Sequence, residues 1–130
     1  MELSRAHLRY LYTIYEISKR TPDVSSASIS KCLRVSRPSV SRMLGALMKE
    51  NLLVKKRYGK IYLTDKGFLL ARDFDRKVCC LKRCIPRMCL PLSEGETAEA
   101  ACVLAAVFLE KALNFPRDEA QGTQRQVSKS

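Results

Sequence analysis

Apolar residues recur every three or four positions along most of this sequence, which predicts a mainly helical protein. Residues 4–19 and 24–35 form the first two predicted helices, separated by a helix-breaking stretch around Pro22. A third helix is predicted over 36–50, because Ser36 can cap its first turn. A short helix, a tight turn and a second helix together indicate a helix-turn-helix.

Beyond the third helix the apolar runs become shorter. Residues 52–56 and 61–63 flank a turn at 58–60 and predict a β-hairpin. A long helix is predicted over 64–85, and two prolines then separate it from a final helix capped by Ser93. The expected fold is mainly α with a small β-hairpin: a winged helix-turn-helix followed by a helical dimerisation region.

The third predicted helix has two different faces, and its apolar stripe consists of Val40, Met43, Leu44, Leu47 and Met48. The other face offers guanidinium and hydroxyl groups, which can bind base edges and phosphates in the DNA major groove. An ordinary amphipathic core helix with a solvated basic face is the alternative. The residues predicted to contact DNA are Ser36, Arg37, Pro38, Ser39, Ser41 and Arg42.

Basic side chains also crowd the predicted hairpin, at Lys55, Lys56, Arg57 and Lys60. A basic hairpin directly after a helix-turn-helix can act as a wing that lies along DNA phosphates. The alternative is a solvated lysine cluster that protects the edge of the sheet. The position of the hairpin favours the wing.

Charge is distributed unevenly along the chain, which has a net charge of +11. Residues 1–63 carry 13 Lys and Arg against 4 Asp and Glu, whereas residues 64–130 carry 11 against 9. The excess charge predicts a polyanionic partner, double-stranded DNA. Because the sequence shows neither a signal peptide nor an apolar stretch of membrane-spanning length, we expect a cytoplasmic protein with no membrane partner.

The final predicted helix is almost wholly apolar between Ala98 and Leu113, so we expect it to bury that surface against a second subunit. Residues 116–130 are polar and predict a disordered tail. The expected organisation is therefore a DNA-binding domain over 1–63, a helical dimerisation region over 64–115, and the tail.

Two segments resemble the winged-helix domain of the iron- and manganese-dependent repressors, the diphtheria toxin repressor and manganese transport repressor class. They read YLYTIYEIS and SISKCLRVSRPSVSRMLGALMKENLLVKKRYGKIYLTDKG. The resemblance is close from residue 8 to about 75 and general over 76–115. It implies a homodimer on a palindromic operator, a metal ion at the junction of two domains, and the shorter, two-domain form of these repressors.

The metal-ligand positions implied by this resemblance are occupied by unsuitable residues, with one exception. They fall on Arg9, Tyr12, a residue near Val78, Cys102, Ala105 and Ala106. Cys102 alone could bind a metal, and the cation Arg9 would repel a divalent ion. We therefore expect that the manganese or iron site of this family is not retained.

The chain contains six cysteines, and five of them lie in its second half. Thiolates can bind soft ions, so zinc, copper or iron could be held by Cys79, Cys80, Cys84 and Cys102. Redox sensing is an equal alternative, because nearby Lys and Arg favour the thiolate. Simple core packing is the third possible role of these cysteines, and it is the role expected for Cys32. The single histidine, His7, is expected to be solvated rather than a ligand.

The leading interpretation is a dimeric DNA-binding transcriptional regulator, a repressor, responsive to metal through a cysteine-altered site. Within that class, the alternative is a metal-independent regulator that responds to oxidants or small molecules. A protein–protein adaptor built on a winged helix also fits the charge. An enzyme does not, because one terminal histidine supports no nucleophile–base pair and no glycine-rich phosphate loop is present.

Overall fold

A computed structural model describes the backbone of residues 3–114 and the side chains of residues 3–109. Within these described residues, five α-helices and one hairpin follow one another. Short 3₁₀ turns lie at Arg57–Gly59 and Ile85–Met88. The main elements are α1 (Arg5–Arg20), α2 (Ser26–Leu33), α3 (Arg37–Lys49), β1 (Leu53–Lys55), β2 (Ile61–Leu63), α4 (Asp65–Cys84) and α5 (Glu94–Asn114). The predicted fold class is confirmed.

Hydroxyl side chains define where the helices begin. The Ser25 hydroxyl accepts a hydrogen bond from the backbone N–H of Ser28 at the start of α2. The Ser36 hydroxyl accepts one from Ser39 N–H at the start of α3, where Pro38 occupies the first turn. These are the positions at which serine satisfies a donor that the helix itself leaves free. The caps therefore fix the turn between α2 and α3.

Helix α1 lies at the centre of the molecule. Its side chains Leu8, Leu11 and Ile14 are almost completely buried, and α1 packs against α2, α3, α4 and α5. The ring of Tyr12 meets Phe74 of α4 edge to face, with centroids 5.1 Å apart. Because it contacts every other helix, α1 connects the helix-turn-helix to the C-terminal helices.

The hairpin is antiparallel, with Leu53 opposite Leu63 and Lys55 opposite Ile61. The backbone N–H of Ile61 also donates to the carbonyl of Val24, at 3.0 Å. This bond joins the hairpin to the segment between α1 and α2. The wing is thus attached to the helix-turn-helix on two sides, since β1 also follows α3 directly in the chain.

Helix α4 approaches the end of the helix-turn-helix very closely at Gly67. A Cβ atom on Gly67 would lie 1.9 Å from the carbonyl oxygen of Leu52, which is far inside van der Waals contact. That same carbonyl accepts a hydrogen bond from Thr64 N–H at 3.1 Å, and the Thr64 hydroxyl donates to the carbonyl of Asn51 at 2.6 Å. Glycine is required here by the backbone contact.

Helix α5 buries one face within its own chain, which corrects part of the sequence-based expectation. The small side chains of Ala101, Cys102, Ala105 and Ala106 are buried, and α5 packs against α4 and α1. The alanine-rich face therefore serves packing inside the subunit, where small residues let helices approach closely. The large apolar side chains left exposed on the described part of α5 lie elsewhere on the helix, at Val103, Leu104 and Phe108.

The predicted tail at 116–130 lies outside the described residues, as do Phe115 and the side chains of 110–114. Within the described part of the chain, no helix has the length and apolar character needed to cross a membrane.

Candidate nucleic-acid interface and junction site

Helix α3 exposes the face that the sequence assigned to DNA. Val40, Leu44 and Leu47 are buried beneath it. The side chains exposed on the opposite face and at the start of the helix are Ser36, Arg37, Pro38, Ser41 and Arg42. Ser39 is half-buried, and its hydroxyl lies 2.9 Å from that of Ser36.

The two serines at the start of α3 belong to the cap, and the arginines extend beyond it. The exposed N-terminal turn carries no acidic residue, so the positive end of the helix dipole and two guanidinium groups add together. Such a surface favours an anionic partner and offers forked donors to it.

A tight turn sets the angle between α2 and α3. Arg34 ends α2 in the left-handed conformation, with φ 56° and ψ 47°. The hydroxyl of Ser30 donates to the carbonyl of Val35 at 2.5 Å, and Val35 N–H donates back to the carbonyl of Ser30 at 3.2 Å. These two bonds close the loop between α2 and α3, so the helix pair is held as one unit.

The four basic residues of the hairpin do not have equal freedom. The Lys60 ammonium lies 3.0 Å from a carboxylate oxygen of Asp23, and this hydrogen bond raises the pKa of Lys60. The Lys56 ammonium lies over the ring of Tyr62, 5.5 Å from its centroid. Lys55 and Arg57 are exposed on the same hairpin. Of the four, Lys55 and Arg57 therefore have the charged groups that are most available to bind a phosphate.

The hairpin also carries an exposed aromatic residue that sequence analysis treated only as part of the turn. Tyr58 is 97% exposed and adopts φ 64° and ψ 21°, the left-handed region. The run of basic residues around Tyr58 was the sequence signal that could have drawn attention to it.

At the junction between α1 and α5, Arg9 and Glu99 form an ion pair. A guanidinium nitrogen of Arg9 donates to a carboxylate oxygen of Glu99 at 2.8 Å, with the two side chains 38% and 61% exposed. Burial lowers the pKa of Arg9, but the bond to Glu99 and neighbouring charges raise it overall. The pair joins the first helix of the chain to the last.

Cys102 is buried beside this ion pair. Burial raises the pKa of the Cys102 thiol, although the nearby Arg9 acts in the opposite direction. Arg9, Glu99 and Cys102 line a cavity of about 240 Å³, together with Tyr12 and Cys32. Burial also raises the pKa of the Tyr12 phenol.

Comparison with known families and structures identifies the first half of the chain. Residues 2–61 match the family described as "Iron dependent repressor, N-terminal DNA binding domain". This segment belongs to that family. The match is to a DNA-binding domain and not to an enzyme. No curated protein matches the chain in a comparison of sequences.

Solved structures similar to this iron-dependent repressor domain include those of manganese and metal-dependent regulators. The manganese regulator SloR is 32% identical, with a TM-score of 0.67 over 89% of this chain and 56% of SloR. The metal-dependent regulator MtsR is 28% identical, with a TM-score of 0.67 over 85% of this chain and 54% of the MtsR chain. ScaR with bound Zn²⁺ is 29% identical, with a TM-score of 0.59 over 85% and 54%. The present chain thus spans a little over half of each relative.

The residues at the junction do not fit the iron or manganese ion of this repressor family. The position implied for its first ligand carries Arg9, whose guanidinium is already bound to Glu99. A cation at that place repels a metal ion and cannot donate an electron pair to it. Ala105 and Ala106, at two further implied positions, have no donor atom, which leaves the buried thiol of Cys102.

The structure does not bring the four candidate cysteines together. Cys79, Cys80 and Cys84 are exposed on α4, whereas Cys102 is buried beside Arg9. Among the described residues, no three His, Cys, Asp or Glu side chains are placed to hold a metal ion. The Cys79 thiol lies 3.9 Å from a carboxylate oxygen of Asp75 on the same helix.

One further expectation from the sequence, that for Cys32, is wrong, and the one for His7 is incomplete. Cys32 is exposed and borders the junction cavity, so it is not a core packing residue. His7 is not merely solvated, since its ring accepts the backbone N–H of Ser4 at 3.0 Å and forms a capping box at the start of α1. The cap explains why a histidine occupies this position.

Proposed function

We propose that this chain is a homodimeric transcriptional repressor that reads a palindromic operator with the exposed face of α3. The observation that carries the proposal is the acid-free, arginine-bearing start of α3, presented outward by a capped and hydrogen-bonded helix-turn-helix. Arg37 and Arg42 would contact base edges, and Ser36, Pro38, Ser39 and Ser41 would line the groove beside them. The match of residues 2–61 to a DNA-binding domain supports this role.

The hairpin supplies phosphate contacts in this proposal. Lys55 and Arg57 would neutralise phosphates directly, and Lys56 and Lys60 would do so while keeping their contacts to Tyr62 and Asp23. Because such contacts carry no sequence information, they set affinity and its dependence on salt. Binding to cytoplasmic DNA also accounts for the excess positive charge of residues 1–63.

Residues 1–63 would act as the DNA-binding domain and residues 64–115 as the dimerisation region. Several large apolar side chains stay exposed in the second segment within the described residues, and they would be covered by the second subunit. They include Met88, Leu90, Leu92, Val103, Leu104 and Phe108. A two-fold axis through this surface would place two copies of α3 on two half-sites, as a palindrome requires.

The similarity to manganese- and zinc-linked regulators supports a metal as effector, but not one held by the ligands of that family. The soft donors available here are the thiols of Cys79, Cys80, Cys84 and Cys102. Since one subunit does not gather three donors among its described residues, the proposed thiolate site would take further donors from the second subunit. Zinc, copper and iron are the ions whose chemistry suits such a site.

Exposed thiols favour a second candidate, a regulator that responds to oxidants without metal. Cys32, Cys79, Cys80, Cys84 and Cys89 are all free and exposed. Elemental analysis of anaerobically purified protein, paired with a free-thiol count, separates the two. Stoichiometric metal with masked thiols supports the metal response, whereas no metal and five rapidly reacting thiols, with Cys102 slower because it is buried, supports the oxidant response.

DNA binding is tested by in vitro selection from random duplexes, followed by binding measurements over a range of salt. The expected result is an inverted repeat whose half-sites are about 10 base pairs, or a multiple of this, apart. Selection without a preferred sequence, or binding to acidic proteins that DNA does not displace, would instead favour a winged-helix adaptor.

A further inference from the structure

The tip of the hairpin carries an aromatic residue in an unfavourable backbone conformation. Tyr58 has φ 64° and ψ 21°, where a residue with a Cβ atom is strained. Gly59 follows with φ 73°. Glycine or asparagine would adopt this turn more readily than tyrosine. Turn geometry therefore does not account for a tyrosine at position 58.

Packing does not account for the tyrosine either. Its side chain is 97% exposed, so it contributes no buried area to the core. Among the described residues, the aromatic rings pair as Tyr12 with Phe74 and Tyr15 with Phe68. The hairpin ammonium of Lys56 lies over the ring of Tyr62. The ring of Tyr58 is presented to the surroundings of the protein.

The loop that presents the ring is held in place by backbone bonds. Gly59 N–H donates to the carbonyl of Lys56 at 3.2 Å, and Lys56 N–H donates to the carbonyl of Lys60 at 2.8 Å. The Lys60–Asp23 ion pair then joins the base of the loop to the α1–α2 connection. A ligand meeting Tyr58 therefore meets a pre-ordered loop, which lowers the entropic cost of binding.

We propose that Tyr58 inserts its ring into the DNA minor groove beside the major groove that α3 occupies. This inference rests on the proposed DNA binding. Strained, locally unfavourable residues concentrate at functional sites. Many proteins that bind the minor groove insert a side chain such as Phe between two base steps and partly unstack them, and the ring of Tyr58 would do the same. The neighbours Lys55 and Arg57 would bind the phosphates on either side of the groove.

Three variants at one position test this contact on the operator selected with the wild-type protein. Tyr58→Ala should weaken binding by about tenfold, the size of effect found for loss of an aromatic base contact. Tyr58→Phe should bind within about twofold of wild type, since it keeps the ring. Tyr58→Gly should weaken binding like alanine yet unfold at an equal or higher temperature, because glycine relieves the strain.

The dependence of affinity on salt supplies an independent readout. Tyr58→Ala removes no charge and should leave the slope of log affinity against log salt unchanged, whereas Arg57→Ala should reduce that slope by about one. In addition, the fluorescence of 2-aminopurine placed at the base step next to the wing should rise when wild-type protein binds, because the base unstacks. The rise should be much smaller with Tyr58→Ala.

The outcomes separate this inference from the DNA-binding proposal. If Arg42→Ala weakens binding and Tyr58→Ala does not, the minor-groove role is wrong while DNA reading by α3 stands. If Tyr58→Phe loses as much as Tyr58→Ala, a phosphate contact by the hydroxyl replaces the ring contact proposed here. If the wild-type protein binds no duplex, the DNA-binding proposal itself fails.

Discussion

The α3 surface fits the pattern of the iron-dependent repressors, whereas the α1–α5 junction does not fit the metal site that this resemblance implies. On α3 and the hairpin, this chain has the capped helix, exposed arginines and basic wing that a DNA-binding domain needs. At the junction, an Arg9–Glu99 ion pair stands where the family resemblance implies a metal ligand. The two surfaces use different side chains of a shared core, so the residues of one can differ from the family pattern while those of the other fit it.

The largest expected effect concerns the close contact between α4 and the end of the helix-turn-helix that carries the α3 surface. Gly67→Ala should lower the free energy of unfolding by roughly 2–4 kcal/mol, since its Cβ would collide with the Leu52 carbonyl in the backbone. Chemical denaturation measures it. Gly45→Ala is the matched control, because a Cβ there meets nothing within 4 Å and helical alanine should stabilise by about 0.5–1 kcal/mol. Equal behaviour of the two variants would contradict the close approach of α4 to residue 52.

The next largest effect concerns the reading surface. Arg42→Ala or Arg37→Ala should each weaken operator binding by roughly 1–3 kcal/mol and relax the base preference at one position of each half-site. Fluorescence anisotropy on the selected operator and single-base variants measures both quantities. Arg76→Ala removes the same charge from the exposed surface of α4 and is the control. An Arg76→Ala loss as large as that of Arg42→Ala would show that net charge, not α3, determines recognition.

A smaller effect is expected at the junction. Arg9→Ala or Glu99→Gln should each weaken operator binding two- to fivefold, because the ion pair helps to align α1 with α5. In a double-mutant cycle, the coupling free energy between the two residues should be about 0.2–1 kcal/mol, as for partly exposed ion pairs. The swap Arg9→Glu with Glu99→Arg should recover most of the loss. Lys77→Ala is the control, since its 2.9 Å pair with Asp73 lies within α4 and joins no two regions. No coupling between Arg9 and Glu99 would mean the pair has no part in aligning α1 with α5.

The smallest expected effect distinguishes the wing from the reading helix. Lys56→Ala should make the fall of log affinity with log salt shallower by about one unit of slope. It should leave the base preference unchanged, because phosphate contacts carry charge but no sequence information. Titrations at several salt concentrations measure the slope. A changed base preference would place Lys56 against base edges instead of the backbone.

Sequence determined the helix-turn-helix and hairpin because their signals are local. Ser36 and Pro38 mark the start of α3 through backbone hydrogen-bonding and φ preferences that act within one turn. The stripe of Val40, Leu44 and Leu47 specifies the buried face by its 3.6-residue period. The exposed arginines then follow by exclusion, and so does the positive charge of this surface.

Tertiary structure decided what depended on residues far apart in the chain. Glu99 is 90 positions from Arg9, and no periodicity or cap predicts that they meet. The same holds for the alanine face of α5, which the sequence assigned to a partner but which α1 and α4 cover. Composition measures how apolar a helix is, whereas only packing decides which surface buries it. The sequence therefore determined the elements and their exposed chemistry, and long-range packing determined the junction.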